Sequence, residues 1–100
     1  MSGRYSRNKG ARFEREVVNF AKSKGYDAKR VPLSGATWMK SDVLLNVRGN
    51  ELRCECKKRG KGWKQIYAFI EGNNALVIGA DHKEPLIIMR LTDWMYLNSL

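Results

Sequence analysis

Residues Ser41 to Lys57 read as a β-hairpin, and a hairpin here dictates where the rest of a small chain must pack. Val43-Leu44-Leu45-Asn46-Val47 and Glu51-Leu52-Arg53-Cys54-Glu55-Cys56-Lys57 flank Arg48-Gly49-Asn50, a turn cluster whose glycine is free to take a positive φ. Residues i and i+2 of a strand share a face, so Glu55 and Lys57 point one way and Cys54 and Cys56 the other. Asp42 stands at the mouth of the first strand. Opposite Glu55, it would bring two carboxylates and an ammonium group together, a cluster able to hold a divalent metal and offset phosphate charge. An exposed Glu-x-Lys pair is ordinarily a solvated salt bridge worth little. Two features argue for more. Leu52, Cys54 and Cys56 alternate as a core face would. Asp42 precedes Val-Leu-Leu, a buried type of strand, at whose mouth an acid is costly unless it is used or solvated.

Charge narrows the partner. Nineteen Lys+Arg against 10 Asp+Glu leave +9 on 100 residues, which favours a polyanion: nucleic acid first, an anionic membrane second. No apolar run approaches a membrane span and no apolar segment follows the basic start, so the membrane option drops. The length suits one compact domain, and the 43% hydrophobic content is that of a folded protein. Cys54 and Cys56, two apart on one strand face, are badly placed for a disulfide and wrongly spaced for zinc. They read as small core residues in a reducing compartment, and the expected location is the cytoplasm, at the nucleoid or, for a viral protein, in the infected cell.

Residues 1–9 are polar and basic without apolar period, and are expected to form a mobile arm whose Arg4, Arg7 and Lys9 track phosphates. The single domain then runs from 10 to 100. Phe13, Val17, Phe20 and Ala21 predict a helix from Gly10 to Lys24, closed by Gly25. Of its acids, Glu14 lies at the edge of the buried stripe, one turn before Val18, and Glu16 faces solvent. Both also suit a helix start for ordinary dipole reasons. Tyr26–Val31 reads as a strand ended by Pro32, and 33–41 as a loop in which Ser34 either donates to a phosphate or merely sets a turn. Beyond the hairpin, Lys57-Lys58-Arg59-Gly60-Lys61-Gly62-Trp63-Lys64 is the densest basic segment. It is either a solvated loop or a phosphate track. Trp63, Ile66, Tyr67 and Ile70 predict a second helix ending near Gly72, apolar enough to suggest a deep core position or a subunit contact. Asn74–Ala80 reads as a central strand, Asp81–Pro85 as a turn with the lone His82 at the surface, and Leu86–Met89 as a further strand. Thr92 would cap a terminal helix carrying Trp94, Met95, Leu97 and Leu100. The order α-β-β-β-α-β-β-α predicts an α/β fold: a mixed sheet of about five strands flanked by helices.

Glu14 on the first helix, Asp42 opening a strand and Glu55-x-Lys57 on the next resemble the core of the PD-(D/E)XK nucleases, with a restriction-endonuclease-like fold. The opening Lys9-Gly10-Ala11-Arg12-Phe13-Glu14-Arg15-Glu16-Val17, with Arg30 and Ser34 ahead of the aspartate, is similar to the archaeal-type Holliday junction resolvases and their viral relatives. Ser41 stands where the superfamily name has proline, and the loop before Asp42 is longer. The resemblance implies a homodimeric endonuclease that nicks four-way DNA junctions in symmetric pairs. Asp42 and Glu55 would ligate Mg²⁺, or Mn²⁺ in its place, with the Cys56 carbonyl as a further ligand and Glu14 completing the site directly or through water. Lys57 would orient the attacking water. Arg15, Arg30 and Ser34 would contact DNA or support the site, joined by Lys40, Lys58, Arg59, Lys61 and Lys64, and Trp63, Ile66, Tyr67 and Ile70 would form the dimer contact. Another nuclease of the same fold (for repair, nicking or restriction), or a non-catalytic basic module that coats nucleic acid, remains an alternative.

Overall fold

The computed structural model describes residues 3–31 and 41–100, with side chains from residue 10 onward in the first segment. Ser34 and Lys40, and the side chains of Arg4, Arg7 and Lys9, lie outside the described residues. The chain forms two compact units, Met1–Lys58 and Arg59–Leu100.

In the first unit, α1 (Gly3–Ser23) packs on β1 (Ala28–Arg30) and β2 (Val43–Val47), and β3 (Asn50–Cys54) completes an antiparallel sheet in the order β1-β2-β3. The helix begins at Gly3, seven residues before the apolar pattern starts it. Arginine and lysine are good helix formers, and Gly10 in the interior costs only about 1 kcal/mol, so the backbone is helical ahead of the apolar pattern. Glu14, Val18 and Ala21 fall at i, i+4 and i+7 on one stripe; Val18 and Ala21 are buried, and Glu14 sits half-buried at its N-terminal end. The helix ends as expected at Gly25. The Gly25 amide bonds the Lys22 carbonyl (3.0 Å) and the Tyr26 amide the Ala21 carbonyl (3.0 Å), the paired bonds of a Schellman end. Tyr26 is thereby spent on the helix, which is why β1 is shorter than the predicted Tyr26–Val31.

β2 lies between two partners, and Val43, Leu44, Leu45 and Val47 are all buried. Val43, with no exposed surface, is the most enclosed large side chain described. The connection to β3 is Arg48-Gly49, both with positive φ (53° and 83°), and Asn46 Oδ1 accepts the Gly49 amide at 3.1 Å. These are the marks of a type I′ turn, whose twist matches that of the strands it joins; its second position is where glycine is needed.

β3 stops at Cys54, three residues earlier than the predicted hairpin. Asp42 supplies the reason. Its amide donates to the Cys54 carbonyl (2.9 Å) while its side-chain Oδ2 accepts the Cys56 amide (2.8 Å). A side chain has replaced a backbone carbonyl as the acceptor, so Glu55, Cys56 and Lys57 leave the ladder.

The second unit holds α2 (Lys64–Ile70), a β4–β5 hairpin (Ala75–Ile78, Leu86–Met89) and α3 (Leu91–Asn98). The five strands expected are therefore present, but they pair as two antiparallel sheets and not as one mixed sheet. β4, read as a central strand, has a single partner among the described residues, and Val77 and Ile78 are exposed. A run of apolar residues reports that a strand needs covering; it does not report what covers it. Arg90 gathers this unit, donating to the carbonyls of Asn73 (3.0 Å) and Ile70 (3.3 Å), the last residue of α2. Arg90 also occupies the N-cap position of α3, which leaves Thr92 inside the first turn and not at the cap. His82 is exposed in its turn, as expected. No helix among the described residues is long and apolar enough to cross a membrane.

Candidate active site

The acidic residues singled out in the sequence belong to one unit. Asp42 is fixed by main chain on both sides: its carbonyl accepts the Val31 amide (3.0 Å) from the strand before it, and its amide binds Cys54 on the strand after. The Cys56 amide then occupies Oδ2. One carboxylate oxygen is thus committed to holding the residue's orientation, and the side chain's remaining acceptor capacity is available to a ligand.

Glu55 and Lys57 lie beyond the end of β3 and pair with each other at 3.7 Å. Both are more than half exposed (56% and 62%), so this pair contributes little to stability and stays open to solvent and substrate. Glu14 is different. Its carboxylate is only 15% exposed and accepts a 3.0 Å bond from Arg30 Nε, linking α1 to the end of β1. Burial of that carboxylate demands such a partner. Glu16, by contrast, is half exposed and paired with Lys58 at 3.6 Å, and the Lys58 ammonium also lies 5.6 Å from the Phe13 ring centroid. The distinction between the two acids, read from one residue's position on the helical stripe, holds in the structure.

Cys56 reports how these groups are arranged. Its thiol is pushed up to about 11, first by burial, then by the negative charge of Asp42, with Cys54, Glu14 and Glu55 adding to it. All three predicted acids therefore bear electrostatically on one side chain. Cys54 is raised by burial alone. Both cysteines are free and half-buried, which is less enclosed than the core role expected of them. Among the described residues no three of His, Cys, Asp and Glu stand close enough to cage a metal by themselves.

Of the remaining predicted residues, Arg15, Lys58, Arg59, Lys61 and Lys64 are exposed and able to meet a phosphate. Ile70 is buried within the chain and is not available to a second copy, whereas Ile66 is half-buried. Trp63 and Tyr67 line a basic cavity in the second unit. What sequence reading missed was pairing: the Arg30 guanidinium on Glu14, the Cys56 amide on Asp42 and Lys58 on Glu16. The signal was present only in part, since each link joins residues distant in the chain and depends on where β1 and β3 end.

A glutamate on the first helix, an aspartate anchored between strands and a solvent-facing Glu-x-Lys, carried on a small, strongly basic α/β chain, are the arrangement expected of one class, a nuclease with a carboxylate site. The family comparison is specific within it. The model of the archaeal Holliday junction resolvases (Hjc) matches residues 5–94, and the chain belongs to that family. Its α/β fold is accordingly restriction-endonuclease-like, and its substrate is branched DNA. No curated protein and no solved structure matches the chain.

Proposed function

We propose that this protein is a Mg²⁺-dependent endonuclease that resolves four-way DNA junctions as a homodimer, by paired symmetric nicks. The observation that carries the metal site is Asp42: a carboxylate locked by the Cys56 amide, placed between residues that flank Glu55, with the exposed Glu55–Lys57 pair beside it. The donor chemistry fits. Mg²⁺ prefers hard oxygen, keeps several waters and needs only one or two protein carboxylates, so the absence of a larger cage among the described residues is compatible with it. Asp42 and Glu55 would hold it, with the Cys56 carbonyl as a further oxygen and Glu14 directly or through a water; Mn²⁺ satisfies the same set. When bound, the ion supplies an activated water and a sink for phosphate charge.

The chain's own groups do the rest. Lys57 brings an ammonium group next to Glu55, where it orients the attacking water and offsets charge on the phosphate. Arg30 holds the Glu14 carboxylate in one orientation through Oε1. Arg15, Lys58, Arg59, Lys61 and Lys64 contribute exposed charge for the backbone of the DNA. Dimerisation has its motive in the second unit, where Phe69, Val77, Leu86 and Ile87 are large apolar side chains left exposed. A two-fold dimer matches a two-fold junction and places one site on each opposing strand.

The test is a supercoiled plasmid that extrudes a cruciform. Paired nicking within one binding event converts it directly to linear DNA in Mg²⁺, and EDTA prevents it. Accumulation of nicked circles ahead of linear product would count against the paired mechanism.

A further inference from the structure

We propose that the cavity formed by Arg59, Lys61, Trp63, Lys64 and Tyr67 binds one unstacked nucleotide of DNA, its base against the aromatic rings and its phosphate among the cations. The cavity measures about 470 Å³ and lies wholly within the second unit, inside the roughly 300–1,000 Å³ typical of small-ligand sites. Three cations line it and no acid does. The Arg59 guanidinium lies 5.0 Å from the Trp63 ring centroid, so a cation and an aromatic face are already stacked where a base would join them. Gly62, between Lys61 and Trp63, holds φ 100°, a backbone conformation in which a side chain would be strained. Tyr67, on the first turn of α2, is 72% exposed.

Charge alone would suffice to follow a duplex backbone. Aromatic faces add something a paired base cannot use, because within a duplex its own faces are covered by its neighbours. They serve a base that has left the stack, and stacking of this kind tolerates any sequence. The assignment rests on the branched-DNA reading above and deepens it: the enzyme would grip unpaired DNA beside a branch through this cavity, apart from its carboxylates.

The experiment compares binding of the full chain to a labelled oligothymidylate and to an abasic strand of equal length and charge, without metal. The wild type is expected to prefer the base-bearing strand by about fivefold or more, the effect of one stacked base. Trp63→Ala and Tyr67→Ala bring the ratio toward one, and Trp63→Phe keeps it. Tyr67 is exposed, so its variant decides the matter should Trp63→Ala fail to fold. Equal binding of the two strands by wild type overturns the proposal. So does a ratio unchanged in Tyr67→Ala, including the case where that variant dissociates a dimer and the ring belongs to a subunit contact. Junction cleavage is followed in parallel. Preference without cleavage would leave this cavity standing and remove the resolvase reading; cleavage without preference would do the reverse.

Discussion

Asp42 shows how one residue's main chain and side chain divide their work. The backbone ties it to β1 and β3, and Oδ2 ends the β3 ladder by taking the Cys56 amide. Asp42→Asn keeps an oxygen for that amide and removes the charge. It is expected to reduce cleavage at least a hundredfold, by roughly 3 kcal/mol or more in transition-state stabilisation, while circular dichroism stays that of the wild type. The same variant has a second readout. The Cys56 thiol is pushed up to about 11, first by burial and next by the negative charge of Asp42. A raised value leaves it protonated at pH 8, and only the thiolate is nucleophilic, so alkylation of Cys56 is expected to be slow there and to accelerate as pH rises toward 11. Asp42→Asn removes one contribution and speeds alkylation at fixed pH. An unchanged rate would show that the charge does not reach the thiol. That Asp42 would lie beside the segment carrying Glu55 was legible from their positions in the hairpin pattern. That Asp42 would shorten the hairpin was not, because the deciding bond runs from a side chain to an amide fourteen residues away.

At the scale of elements, alternation and turn chemistry were informative where one residue decides the geometry. Arg48-Gly49 announced the hairpin turn, and Gly25 the end of α1. Gly49→Val places a β-branched side chain at φ 83° and is expected to destabilise the protein by about 1–2 kcal/mol, a fall in Tm of roughly 4–8 °C per kcal/mol for a domain this small. A Tm within a degree of wild type would mean that the turn does not hold the sheet. Legibility failed where burial is decided by partners. The apolar run of β4 reads as a central strand, yet among the described residues it pairs with β5 alone, and Val77 and Ile78 are exposed. The start of α1 was misplaced for a different reason: apolar period finds the amphipathic part of a helix and is blind to a polar, basic extension in the sequence before it.

At the scale of the molecule, the order of the eight elements among the described residues was readable, and the division of the strands into two sheets was not, since sequence order does not specify which strands pair. The +9 charge predicts that junction binding weakens steeply with salt, as each phosphate contact releases counterions; a slope near zero between 50 and 200 mM in a fluorescence titration would contradict it. Carboxylates gathered without a cation repel one another, so Mg²⁺ is expected to raise the Tm of wild type and not that of Asp42→Asn; equal shifts would place the ion elsewhere. What remains is whether these carboxylates cut branched DNA. The most direct measurement is cleavage of a labelled four-way junction beside a duplex of the same sequence, in Mg²⁺, with EDTA and Asp42→Asn as controls. Nicks are expected in the junction alone, lost in both controls. Equal cutting of the duplex, or cutting that survives Asp42→Asn, would contradict it.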